Sequence, residues 1–308
     1  MPVTRPEAAK LKSAISDWSR GPSQSSETVR TERRSATRPT IIESWRKTLS
    51  CDVKQTPVRS QKNAPIDVWL THIQSFIRAQ SCLALLTEDD RTSLTQLQSP
   101  ASRISATAAR VLLRLALSRA VRQATAPSEW KFEAPPTGKP VVGPGLPNIK
   151  FSVSHIDQLV VVAVSPNLNI GIDVESVDQS LSPDLITTFC HSDEQHSLKR
   201  LPESQRTREF IRLWTLKEAY TKLIGTGHSV DFTWIKFMLD PVNFETRGDV
   251  PAKRAVFENF HITARHSLYH VSLAVELSPH VVLPTEVQII SLADPAGLEE
   301  AVPAPIAT

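Results

Sequence analysis

Asp173 and Glu175 stand two residues apart in Gly171-Ile172-Asp173-Val174-Glu175. Ile and Val in a period-two pattern predict a strand there. Alternate residues of a strand leave the same face, so both carboxylates point the same way. Like charges at that spacing repel, and a hard divalent cation with oxygen ligands is one answer to the repulsion. The same pentapeptide also fits a solvated edge strand with two surface acids. Glu218 and Lys222 lie four apart with the acid first, the order that favours a surface ion pair on a helix. Ser154 and His155 suggest a nucleophile and its base, but neighbours on a strand point to opposite faces, and no Gly-x-Ser-x-Gly elbow is present. Cys190, His191 and His196 invite a zinc reading, yet no second cluster at ligand spacing accompanies them.

These side chains need a scaffold. Leu159 to Val164 is an apolar run, separated from the Gly171 strand by the polar turn Ser165 to Asn169. Leu83 to Leu86, Phe151 to His155, Phe232 to Met238, Val256 to Ile262, Tyr269 to Leu277 and Val287 to Leu292 also read as strands. Thr87 before Glu88, Asp89 and Asp90 opens a helix with acids in its first turn. Ser99 as N-cap and Pro100 as first helical residue open a longer helix, to about Arg122. Its apolar stripe is Ile104, Ala108, Val111, Leu112, Leu115 and Ala116. Arg103, Arg110 and Arg114 ride on neighbouring faces, where a forked guanidinium suits either phosphate or plain solvation. Pro183 opens a short helix through Thr188, and Ser192-Asp193-Glu194 opens another. Glu209 to Leu223 is the most regular helix, stopped by Gly225-Thr226-Gly227. Pro127 to Pro147 is loop and holds Gly138-Lys139-Pro140.

Composition narrows the class. A chain of 308 residues with 40% apolar and 22% charged residues has the make-up of an ordinary soluble protein. The net charge of +3 is uneven: residues 1–64 carry thirteen Lys or Arg against six Asp or Glu. The remaining body is mildly acidic, which argues against a nucleic-acid-binding core. The first 64 residues are rich in Ser, Thr, Arg and Pro and poor in large apolar groups, so disorder is expected there. Their Arg and Ser content is that of an organellar transit peptide, but Glu7, Asp17, Glu27 and Glu32 run against it. No apolar run approaches the ~20 residues that cross a bilayer. Three scattered cysteines, Cys51, Cys82 and Cys190, fit free thiols in a reducing compartment, the cytoplasm by default.

Four motifs in order are far more specific than any one: Gly138-Lys139-Pro140, Phe151 to His155, Gly171 to Glu175, and Trp214-Thr215-Leu216-Lys217-Glu218-Ala219-Tyr220-Thr221-Lys222. Together they resemble the 4′-phosphopantetheinyl transferase superfamily, in its double-length, surfactin-synthetase-activating branch. The resemblance covers roughly residues 67–292, and Phe189 to Glu194 matches the family segment between the last two motifs.

It implies an α+β fold of two similar halves, about 65–165 and 166–292, related by a pseudo-twofold axis. A basic extension (1–64) and a tail (293–308) flank them. It also implies a monomer with its active site in the cleft between the halves. Coenzyme A is the co-substrate and Mg²⁺ the cofactor. The partner is an apo acyl or peptidyl carrier protein, whose serine takes phosphopantetheine as 3′,5′-ADP leaves. Neither nucleic acid nor membrane is involved.

By the same resemblance Asp173, Glu175 and Glu218 hold the metal, and Glu218 and Lys222 are catalytic. Mg²⁺ commonly joins carboxylates to substrate phosphates, in agreement with that set. Lys139, Ser154 and His155 contact coenzyme A, and Lys217 brings a charge to the cleft or serves structure. A family arginine that meets the 3′-phosphate aligns with Ser105, which makes Arg103 the nearest candidate and Arg110 the fallback. Ile156-Asp157 stands where the family usually has Ser-Gly, and Ser176 where a basic residue often follows the acidic pair. Two other readings stand beside it: another Mg²⁺-dependent phosphoryl- or nucleotidyl-transfer enzyme using the same three carboxylates, and a non-catalytic binding module whose basic tail recruits an acidic partner.

Overall fold

The computed structural model describes residues 66–292 except 74–79, 122–124, 134–138, 157–158, 179–180, 265–266 and 278–286. The basic extension, the C-terminal tail and Gly138 lie outside the described residues.

The fold is mixed α+β. A first sheet has the order β11-β1-β5-β4, built from β1 (Ile66–His72), β4 (Lys150–Ile156), β5 (Leu159–Ser165) and β11 (Val287–Leu292). Its ladders are antiparallel except for β1 with β11, which run parallel. A second, antiparallel sheet has the order β6-β10-β9, from β6 (Ile170–Ser176), β9 (Ala255–Ala264) and β10 (Ser267–Glu276). Two small hairpins pair β2 (Phe132–Glu133) with β3 (Val141–Val142) and β7 (Ile235–Leu239) with β8 (Val242–Thr246).

Side-chain alternation explains the layering. Val160, Val162 and Val164 of β5 pack under α2 (Pro100–Ala120), against Ala108, Val111, Leu112 and Leu115. Leu159, Val161 and Ala163 face the other way, into a core shared with Ile172, Val271 and Leu273 of the second sheet. Burial on both faces is why β5 is a continuous apolar run. The outer face of the second sheet carries α5 (Glu203–Ile224), whose Leu216, Ala219 and Leu223 form a third cluster with Ala274. Each sheet therefore supports one long helix. Val287 to Leu292, read from sequence as the end of the second half, instead completes the first sheet.

The helix starts follow their caps. Thr87 and Asp90 form a capping box on α1 (Glu88–Thr95), and Ser99 caps α2 with Pro100 behind it. Two of the four arginines of α2 pair with Asp90 within this layer. Arg114, buried, donates from Nε to Asp90 at 2.8 Å and from one terminal nitrogen to the Pro127 and Trp130 carbonyls. Arg110 also pairs with Asp90, at 3.4 Å.

Three local expectations need correction. Leu83 to Leu86 is not a strand: Gln80–Leu85 is a 3-10 turn. Phe232–Trp234 is also a 3-10 turn, because the Asp231 carboxylate accepts from the Thr233 N–H and hydroxyl and bends the chain before β7 begins. The most regular helix starts at Glu203, earlier than Glu209, since its first turns are polar and carry no apolar period.

Candidate active site

The two sheets meet at the edges of β4 and β6. Ser152 and Ser154 share one face of β4, and both reach β6. The Ile172 N–H donates to Ser152 Oγ at 3.0 Å, and Ser154 Oγ donates to Asp173 Oδ1 at 2.8 Å. His155 points the other way and is exposed, so it forms no serine–base pair with Ser154.

Gly171 brings α5 down onto this junction. A Cβ there would lie 2.0 Å from the Ala219 carbonyl oxygen and 2.5 Å from the Leu223 amide nitrogen. Helix backbone thus rests on strand backbone, which glycine alone permits. On the same face of β6 as Gly171, Asp173 and Glu175 look at α5. Lys222 Nζ lies 2.6 Å from Asp173 Oδ1 and 3.0 Å from Ser154 Oγ. The Trp214 indole N–H donates to Glu175 Oε1 at 3.2 Å. One turn before Lys222, Glu218 is only 1% exposed, and its Oε1 and Nε2 of His228 approach to 2.5 Å without the alignment of a hydrogen bond.

The donor set suits a hard divalent cation in kind: three carboxylates on facing elements, with Asp173 at 2% and Glu218 at 1% exposure. In position it differs from the convergence expected. Asp173 faces Lys222, Glu175 faces Trp214 and Glu218 faces His228. Among the described residues no three His, Cys, Asp or Glu side chains are gathered so as to hold an ion.

Lys139 adds positive charge. Its ammonium donates to the Ile170 carbonyl at 2.6 Å, and burial with Lys222 and Lys150 nearby brings its pKa down to about 8. The folded chain thus gives up this proton more readily than the unfolded chain. Its penalty for the buried charge is full below pH 8 and is relieved between 8 and 10.5. Lys139→Met is therefore expected to raise the melting temperature at pH 7 and to lose that advantage at pH 10. Thermal melts of both proteins at pH 7 and pH 10 check it.

Lys217 does not bring its charge to the cleft. Only 1% exposed, its ammonium donates to Glu194 at 2.6 Å and to the Phe189 and Phe232 carbonyls, each at 2.9 Å. Glu194, on α4 (Ser192–Lys199), also accepts from the His191 and Phe237 N–H groups. The pair is a structural staple between α5, α4 and β7. Lys217→Met should cost about 3 kcal/mol by stranding the carboxylate, and adding Glu194→Gln should recover part of it; urea denaturation measures both.

Arg103 sits exposed near the start of α2 and takes no part in the Ser154–Asp173–Lys222 contacts. The zinc trio is incidental. Burial pushes the Cys190 thiol up to about 12, His191 caps α4 through Nδ1, and His196 bonds the Ser192 carbonyl. Sequence reasoning missed His228, which belongs to no motif, and treated Trp214 only as an apolar residue. A Trp four residues before a chemistry-bearing Glu on one helix face was the available signal.

Comparison with known proteins adds similarities of sequence. The model of the 4′-phosphopantetheinyl transferase superfamily matches residues 169–274, which span β6, α5, β9 and most of β10. The chain is similar to 4′-phosphopantetheinyl transferase HetI of Nostoc sp., at 32% identity over 48% of this chain and 63% of that protein. It is similar to the phosphopantetheinyl transferase of Thraustochytrium sp., at 27% over 68% of this chain and 75% of that protein. With 4′-phosphopantetheinyl transferase Sfp of Bacillus subtilis it shares 31% identity over 39% of this chain and 51% of that protein.

Proposed function

We propose, from its similarity to the 4′-phosphopantetheinyl transferase superfamily, that this chain is a member of it and transfers the 4′-phosphopantetheine group from coenzyme A to a serine of an apo acyl or peptidyl carrier protein, releasing 3′,5′-ADP. The observation that carries the reading is the Ser154–Asp173–Lys222 contact, which joins three separate motifs at the junction of the two sheets.

In this reading Asp173 and Glu175, on one strand face, and Glu218, on the facing helix, would hold Mg²⁺. When bound, the cation would supply positive charge that offsets phosphate charge. Lys139, Ser154 and exposed His155 orient the phosphates, and Arg103 approaches from α2. Glu218 accepts the proton of the carrier serine hydroxyl as its oxygen attacks the β-phosphorus. The bond from that phosphorus to the bridging oxygen breaks, and Lys222 stabilises the charge on the departing 3′,5′-ADP.

One long helix on each sheet supports a pseudo-twofold relation between halves at about 65–165 and 166–292, apart from β11, which crosses to the first sheet; the reading further takes the site to lie in the cleft between them and the chain to act as a monomer in the cytoplasm. Among the described residues no helix is long and apolar enough to cross a membrane. The test is to incubate the protein with Mg²⁺, coenzyme A and apo carriers from fatty-acid, polyketide, nonribosomal-peptide and aminoadipate systems, and to weigh each carrier. A gain of one phosphopantetheine group is expected. No gain on any carrier would favour a binding module.

A further inference from the structure

We propose that His228 is a positioning residue for Glu218, fixing the carboxylate that takes the serine proton; the idea rests on the role given to Glu218 above. His228 stands ten residues beyond Glu218, past the end of α5, and the turn returns it. Gly225 and Gly227 have φ of +79° and +52°, the left-handed region open to glycine. The Thr226 N–H donates to the Thr221 carbonyl and the Ser229 N–H to that of Thr226, each at 3.1 Å. The short helical turn Gly227–Ser229 is thereby folded back over the last turns of α5.

The imidazole is held from behind. It stacks on Phe232 with 7° between the rings and 5.7 Å between centroids. Phe232 is buried and packs in turn against Trp214 at 5.4 Å and Phe189 at 5.8 Å. Trp214 is the residue whose indole N–H meets Glu175. One aromatic cluster thus sets two ring nitrogens against two carboxylates, Trp214 on Glu175 and His228 on Glu218. A buried glutamate retains several rotamers, and a rigid partner on Oε1 selects among them. Orientation of this kind matters because a misplacement of about 1 Å can cost a hundredfold in rate.

The test compares His228→Leu, which keeps an apolar contact on Phe232 but has no ring nitrogen, with His228→Gln, which keeps an N–H donor. We expect His228→Leu to lower kcat about 10–100-fold, as loss of a partner behind an active-site ligand typically does. Its KM for coenzyme A should stay within about twofold, since orientation rather than ground-state binding is lost. His228→Gln should recover most of the rate. In a Glu218→Gln background neither change should cost more, because the two residues act as one unit. Unchanged kcat in His228→Leu, or a raised KM with kcat intact, would overturn the proposal. Should His228→Leu fail to fold, His228→Gln and the double variants carry the same comparison.

A second readout needs no turnover. In protein labelled with ¹⁵N-histidine, Glu218→Gln should move the ring resonances of His228; unmoved resonances would also overturn the proposal. If the wild-type chain modifies no carrier, the transferase reading fails, and this spectrum alone decides whether His228 holds Glu218.

Discussion

Asp173→Ala is expected to lower the rate of phosphopantetheine transfer by about 10³-fold or more, in the range seen when one group that stabilises transition-state charge is removed. Its Oδ1 is the point where three elements meet, accepting from Ser154 of β4 and Lys222 of α5. Without the carboxylate Lys222 loses the partner that holds it at the junction of the two sheets, and the proposed site loses one of the three acids that would hold the cation. The fold should survive, because the Lys222 side chain is 18% exposed and its ammonium can turn to water. Asp173→Asn preserves an oxygen acceptor for Ser154 without the charge. It should be as inactive as the alanine variant but closer to wild type in melting temperature. Single-turnover mass measurements with saturating coenzyme A, beside thermal melts, separate the two effects. Wild-type turnover in Asp173→Ala would move the reaction elsewhere on the molecule.

The largest expected effect on stability belongs to a residue without a side chain. Gly171→Ala would place a methyl carbon 2.0 Å from the Ala219 carbonyl oxygen, a backbone atom that cannot rotate away. Helix α5 must then lift from β6 by roughly an ångström along its contact, opening the cores on both sides. We expect a loss of about 5 kcal/mol, at the exceptional end for a single substitution. Whatever folds should also transfer slowly, since Glu218 and Lys222 ride on the displaced helix. Gly227→Ala is the control: its Cβ meets nothing within 4 Å, so only the strain of φ +52° opposes it, about 1 kcal/mol. Urea titrations of both variants give the comparison, and wild-type stability in Gly171→Ala would refute the close approach.

The strands and helices around the site were legible because they obey local rules. β4, β6, β9, β10 and β11 lie where alternation or apolar runs put them, and Thr87, Ser99 and Gly225 mark helix ends by side-chain and backbone chemistry. β1 was harder, since most of Ile66–His72 is buried and Thr71, a polar residue, is buried with it. No period survives in such a strand. Tertiary partners were not legible at all. That Lys217 belongs to Glu194, Arg114 to Asp90 and Glu218 to His228 depends on residues 10 to 24 positions away. Spacing identifies which side chains share a face, but it does not say which donor across the interior will meet them.

The place of β11 has a consequence for how the molecule is made. The last strand of the described chain lies parallel to the first, so the earliest sheet keeps an open edge along Ile66–Thr71 until residue 292 has been synthesised. The first sheet is not complete without β11. A fragment ending near 165 would present unpaired backbone to any strand it met, and would need its missing sequence supplied in trans to close. Two-piece reconstitution should thus succeed only when the second piece reaches Leu292, tying assembly of the proposed cleft to completion of the chain.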